Sequence, residues 1–476
     1  MTAGRSVGFC PPEGDTGDWS PAPSRSTFPC CLGEFRMMKK LAFVVVGCAV
    51  SAVIAWAGAQ RMLVDSRVSD AGRLVDEERW REARLVLRNA LWWRPDHPRG
   101  NLLMAESLIV DPLLSPPGDF ESDMQAVGLA LDFLSRVPEQ SPEYAESRFR
   151  TAFILFYSRR APGQALRTLD ELIERFPDNV EALTLRFQIL AMVGRAPEAR
   201  NDVLHAAELV SDESRARLLR DWYLYEFYHY GRSKEQDVRL GVLAPGEETG
   251  DSVLPKRYRM FRSLEPESSL GYVALARWFQ QHSDPETAQQ MLDEALAQSQ
   301  DAESDPLLYA VAVAALDDLG RIAEAAPLLE KWPGDKDDFE YWRAKAIHSH
   351  RVDGDLAAAE EAYRKALERW PGQINWGVRN MLAACLREAG KTDEAVAQAE
   401  RAALVERLMH DDVQDRVFVA VGRLDDPEAL KVVVKYYRDL ELPREADAWQ
   451  SVVDWLESSV APGTAEGSAP SPDQGL

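Results

Sequence analysis

Apolar residues recur along most of the chain at intervals of three and four, the period of a helix with one buried stripe, and that recurrence is itself repeated. The clearest unit is residues 341–371, in which Ala359, Tyr363, Ala366 and Pro371 are spaced four, three and five apart. Small alanines at these positions let two helices approach closely, and the larger residue between them fills the gap. Proline then ends the helix because it cannot continue the hydrogen-bond ladder. The same spacing occurs at Ala83-Leu87-Ala90-Pro95, Ala126-Ala130-Phe133-Pro138 and Ala165-Leu169-Leu172-Pro177. Without the proline it occurs at Ala199-Val203-Ala206, Ala288-Leu292-Ala295, Ala325-Leu329-Trp332 and Ala395-Ala399-Ala402, and Ala446 with Val453 marks a weaker ninth copy.

A second signal is independent of the first. Gly194, Gly320, Gly354 and Gly390 each lie five residues before the leading alanine of their unit, where glycine fits a left-handed helix cap. Upstream of the turns, Tyr272, Leu275, Ala276 and Phe279, or Tyr309, Val313 and Leu316, outline a first helix. The pattern therefore predicts an all-α chain of eight to nine helix-turn-helix units.

On these residues the sequence resembles the tetratricopeptide repeat family, whose unit of about 34 residues places an alanine, an aromatic, a second alanine and a proline at this spacing. The first-helix Trp and Gly of the family are mostly replaced, so the individual units are divergent. The resemblance implies an α-solenoid whose concave face is lined mainly by the first helices. It also implies protein or peptide partners. Mapped onto first helices, it places Arg150, Tyr157, Gln188, Arg277, Gln280, Tyr341, His348, Arg351, Asn380 and Arg387 in the groove. Arginine, tyrosine and asparagine there suit an extended peptide or an acidic segment, with arginine able to hold carboxylates bidentately. The lysine and asparagine clamp of chaperone-binding relatives is not reproduced.

Two places break the period, a proline-rich stretch at 111–123 and the long interval from Ala199 to Ala288, which contains a loop-like segment at 244–253. The expected organisation is a repeat array at 60–206, an irregular helical junction or hinge at 207–268 and a second array at 269–457. Residues 1–40 and 458–476 are rich in Gly, Pro and Ser and read as disordered tails, with translation able to begin at Met37 or Met38.

Residues 41–59 form an uncharged run preceded by Lys39 and Lys40, long enough to span a bilayer as an anchor. Ala57-Gly58-Ala59 also offers a cleavage site, so a removable signal peptide is the other reading. Either way the lysines keep the amino side in the cytoplasm and send the rest across. The sequence thus predicts a single-pass membrane protein with its repeats outside the cytoplasm, or an exported soluble one.

Charge narrows the partners. With 55 basic and 78 acidic residues the net charge is -23. That balance repels nucleic acid and anionic headgroups unless a local basic stripe overrides it, and no such stripe is found. Cys385 stands far from the other thiols and reads as a buried apolar residue. No phosphate loop, nucleophile elbow or metal-binding pattern occurs, and His348 and His350 point apart on a helix, so no catalytic, metal or cofactor residue is assigned. His350 is expected between helices and His348 on the groove. The aromatic run at 222–230 is either a buried helix face or a platform for a glycan or peptide.

Overall fold

The computed structural model describes residues 32–114, 120–226 and 253–460, with the side chains of 32–50, 110–123, 226, 253, 411 and 460 outside that description. The chain forms two units, residues 1–67 and 68–476. Helix α1, Leu32–Asp76, begins in the first and ends in the second. In the first unit Val53, Ile54, Trp56, Met62 and Leu63 are exposed. Among the described residues no helix is long and apolar enough to cross a membrane. The run at 41–59 belongs to α1, with the side chains of 41–50 outside the description; of the expected tails, 1–31 and 461–476 lie outside it, whereas 32–40 and 458–460 are helical.

The second unit continues with α2 (Trp80–Trp93), α3 (Pro98–Leu114), α4 (Phe120–Ser135), α5 (Tyr144–Tyr157), α6 (Pro162–Arg175) and α7 (Val180–Met192). Then come α8 (Arg200–Leu209), α9 (Asp212–Glu226), α10 (Val253–Leu264), α11 (Leu270–Gln281), α12 (Pro285–Gln298) and α13 (Pro306–Asp318). The last are α14 (Ala326–Glu330), α15 (Phe339–His348), α16 (Leu356–Glu368), α17 (Trp376–Glu388), α18 (Thr392–Leu408), α19 (Asp411–Val421), α20 (Pro427–Asp439) and α21 (Pro443–Val460). No strand occurs among the described residues, and the helices pack as successive antiparallel pairs, the arrangement of an α-solenoid.

The leading alanines Ala83, Ala165, Ala199, Ala288, Ala325, Ala359, Ala395 and Ala446 are all buried. Starts are set by short polar side chains. Asn179, Asp284, Asp338, Asn375 and Asp426 each accept a backbone N–H from the first turn of the helix they precede.

Three copies depart from the expected register. On α4, Val127, Ala130 and Leu134 form the buried stripe, while Ala126 and Phe133 are half-buried. The fourth-from-last unit keeps only a five-residue α14, with Leu329 half-buried, because Pro327 begins it and Pro333-Gly334 prevents its extension. Ala399 on α18 is exposed, and the buried stripe of that helix runs instead through Ala395, Ala402, Val405 and Leu408. Of the expected loop at 111–123, residues 111–114 and 120–123 instead extend α3 and α4, and 115–119 fall outside the described residues; of the one at 244–253, Val253 begins α10 and 244–252 fall outside them.

The turns agree with the glycine signal and extend it. Gly194, Gly320, Gly354 and Gly390 have φ of 78, 68, 66 and 77°. Glu78, Arg160, Ser283 and Glu441 stand at the same place, five residues before Ala83, Ala165, Ala288 and Ala446, with φ of 59, 56, 60 and 62°. A side chain with a Cβ in this region costs roughly 1–2 kcal/mol, so these four turns carry strain that glycine removes. Ser283→Gly is therefore expected to raise stability by about 0.5–1 kcal/mol, the strain relief being offset in part by a freer unfolded chain. Gly354→Ala, where a Cβ meets no atom within 4 Å, is expected to lower it by about 1 kcal/mol through the backbone alone. Urea midpoints of the two variants moving in the same direction would refute this account.

Candidate partner-binding surface

The inner side of the carboxy-terminal repeats is occupied by the chain itself. Residues 194–223 contact those repeats at Arg277, Asp305, Trp370, Gln414, Tyr436, Glu445 and Ser451. Arg277 Nη1 donates to the Gly194 carbonyl at 3.0 Å, and Arg195 pairs with the buried Asp305, whose carboxylate also accepts from Ser269 Oγ at 2.8 Å. Trp370 Nε1 donates to the Pro197 carbonyl at 2.9 Å. Arg200 stacks on the Trp370 ring, 4.5 Å from its centroid, and holds the buried carboxylate of Glu445 through Nε and Nη2. Tyr223 donates to the Gln414 carbonyl at 3.0 Å and meets the Tyr436 ring edge-on. Further out, Glu265 accepts the Gly163 and Gln164 amides, both at 2.7 Å, closing the amino end of α6. Burial pushes that carboxyl up, against the pull of these two N–H groups and Arg167.

Trp222 and Tyr223 are fully buried in this hairpin, so they present no face to a ligand. The platform reading fails for them because Phe187 and Trp370 already cover the Trp222 ring, while residues 227–230 fall outside the description.

The ten residues placed in the groove do not converge on one point. Tyr157 donates to Gln188 at 3.2 Å, joining α5 to α7, and burial pushes its phenol up. Arg150 is held by Glu146 at 2.6 Å on its own helix. Tyr341 packs edge-on against Trp332. His348 lies 3.3 Å from Asp353, half-buried. Arg277 lines an open cleft of about 420 Å³, with Arg195, Phe339, Glu340 and Trp370, and this continues into one of about 260 Å³ that Gln280 and Arg343 also line. Asn380 and Arg387 are exposed on α17.

Some of these form a ladder along consecutive first-helix ends. Gln280 donates to Asp318 at 3.3 Å, Arg351 pairs with Asp317, and His350 lies 3.2 Å from Glu388. Burial pushes the Asp317 carboxyl up while the Arg351 guanidinium opposes it. His350 also lies 3.3 Å from the buried Tyr363 hydroxyl, at the inter-helix position. Cys385 is buried, as its isolation suggests.

The residues that shape the inner contact, Arg195, Arg200, Asp305, Trp370 and Glu445, are ones that no spacing marks. Their partners are up to 245 positions away.

Residues 150–214 and 345–408 match the tetratricopeptide repeat family. No curated protein matches the chain. Among solved structures the chain is similar to the Cut9–Hcn1 hetero-tetramer of the APC/C, at 12% identity over 82% of this chain and 73% of that one, with a TM-score of 0.33. A tetratricopeptide repeat protein from Parabacteroides merdae matches at 13% identity over 59% and 98%, with a TM-score of 0.26. The human IFIT1 dimer with m7Gppp-AAAA matches at 12% identity over 82% and 89%, with a TM-score of 0.29.

Proposed function

Because the chain carries tetratricopeptide repeats at 150–214 and 345–408, we propose that it is a non-catalytic scaffold for protein partners, tethered to a membrane through residues 41–59 with its repeats outside the cytoplasm. The ladder Gln280–Asp318, Asp317–Arg351 and His350–Glu388 carries the reading. It sets polar groups at repeat intervals along one edge, a spacing that suits an extended partner segment. Residues 194–223 pack along the carboxy-terminal repeats, which directs partners to this edge, to the adjoining cleft and to the exposed Asn380 and Arg387. Val53, Ile54 and Trp56, within the uncharged run, are exposed, which supports the tether.

The scaffold is tested by crosslinking in the native host. Arg387→Glu together with Asn380→Glu alters exposed positions, where substitutions stay within about 0.5 kcal/mol, so folding is expected to hold. Partner yield is expected to fall several-fold, and an unchanged yield would remove this edge from consideration. A reporter fused after Leu456 is expected to be active outside the cytoplasm and silent within; the reverse pattern overturns the topology. Cleavage after Ala59 would leave the same repeats as a soluble exported peptide-binding module, which amino-terminal sequencing of the mature protein distinguishes from the anchored form.

A further inference from the structure

On α2, Arg81, Leu85, Arg88 and Trp92 follow one another at intervals of four, three and four, so they share one stripe of the helix, and all four are exposed. The opposite stripe, Ala83, Leu87, Ala90 and Leu91, is buried. Trp92 is 74% exposed and stacks edge-on against Trp93, itself 49% exposed, with ring centroids 4.7 Å apart. Leu85 is 55% exposed. Two adjacent indoles and a leucine in water are a standing cost that another apolar phase would remove.

Charge says which phase. Residues 79–99 contain Arg79, Arg81, Arg84, Arg88, Arg94 and Arg99 against Glu82 and Asp96, on a chain whose net charge is -23. Arg79 is held by Glu77 and Glu82, whereas Arg88 makes no ion pair among the described residues. This corrects the expectation that no basic stripe occurs: of the acids nearby only Glu82 falls within α2, and helical spacing gathers Arg81 and Arg88 on one face. Arginine beside tryptophan and leucine on one helix face is the composition of a segment lying at a bilayer surface, with indoles at headgroup depth and guanidiniums on phosphates. An acidic protein surface supplies the charge but no layer for both indoles to enter.

Position agrees. A Cβ on Gly100 would meet both Leu91 and Val68 within 4 Å, so the tryptophan end of α2 lies beside Val68. Val68 comes nine positions after Ala59, a stretch that spans at most about 30 Å. If 41–59 occupies a bilayer, Trp92 is within reach of its surface.

We propose that the Arg81, Leu85, Arg88 and Trp92 face of α2, together with Trp93, docks on the surface of an anionic lipid bilayer. The docking builds on the tether proposed above, which brings the face to the membrane, but the two can fail separately. The full-length chain is reconstituted into vesicles of phosphatidylcholine with or without phosphatidylglycerol, each carrying brominated acyl chains that quench nearby tryptophans. The double variant Trp92→Phe with Trp93→Phe identifies the share of quenching due to these two rings, with Trp56 as background in both proteins. Quenching that is lost in the double variant, needs phosphatidylglycerol, and weakens at least roughly fivefold in Arg81→Glu with Arg88→Glu is the expected result. Equal quenched fractions in the native chain and the double variant overturn the proposal, and would leave a protein as the occupant of this face. Alkaline carbonate extraction of the same vesicles reports on the tether. A chain retained without Trp92-dependent quenching refutes the face alone. A chain that is released yet still shows that quenching when added back refutes the tether and upholds the face.

Discussion

Arg200→Ala is expected to destabilise the fold by about 3–5 kcal/mol, measured by urea denaturation. Glu445 is fully buried, and Arg200 is the group that holds both of its oxygens, with Nη2 to Oε2 at 2.8 Å. Removing the guanidinium leaves a carboxylate with neither water nor a cation, a larger loss than the pair itself contributes. Stacking on Trp370 adds a further small loss. The asymmetry is the diagnostic feature. Arg200→Met combined with Glu445→Leu removes both charges and is expected to recover most of the stability, because an apolar pair of similar volume replaces a costly buried ion pair. Arg217→Ala, which breaks an exposed pair with Glu213, is expected to change stability by no more than about 0.5 kcal/mol. A loss at Arg200 as small as that at Arg217 would show that Glu445 reaches water and that the inner hairpin is not seated as described.

The same pair shows how far the sequence could be read. Repeat register depends on contacts within and between neighbouring helices, so Ala165, Leu169 and Leu172, or Ala359, Tyr363 and Ala366, announce themselves by spacing, and all six are buried. The turn glycines are legible for the same reason. Glu78, Arg160, Ser283 and Glu441 are not, since nothing in their chemistry advertises a left-handed backbone; only their place five residues before an alanine does. Glu445 is harder still. It sits one residue before Ala446, as Glu82, Glu198, Glu324 and Glu394 sit one residue before the leading alanines of their own units. Those four are exposed and Glu445 is buried. The difference lies in Arg200, 245 positions away, brought up by the chain's return across its own repeats. Local periodicity carries no information about such a return, so the repeats are readable while the segment that packs across them is not.

That occupant accounts for the second large effect, at Trp222. Trp222→Ala is expected to cost about 3–5 kcal/mol, because an indole with no exposed surface packs edge-on against Phe187 at 5.8 Å and obliquely on Trp370 at 6.3 Å, and its loss opens a cavity among them. Its Nε1 finds no hydrogen-bond partner among the described residues, so the contribution is one of shape and apolar area. Trp222→Phe should therefore cost clearly less than Trp222→Ala, with no unpaired polar group left behind. Position adds a sharper expectation. Tyr223, the next residue, bonds to Gln414 and meets Tyr436, so a loosened hairpin withdraws packing from α19 and α20 although those helices lie about two hundred residues further along the chain. Hydrogen exchange in Trp222→Ala is expected to speed up in 411–439 as well as in 200–226, since segments that share a core open together. Faster exchange confined to 200–226 would mean that the hairpin is a detachable insert, which would return the inner face of the repeats to the list of surfaces open to a partner.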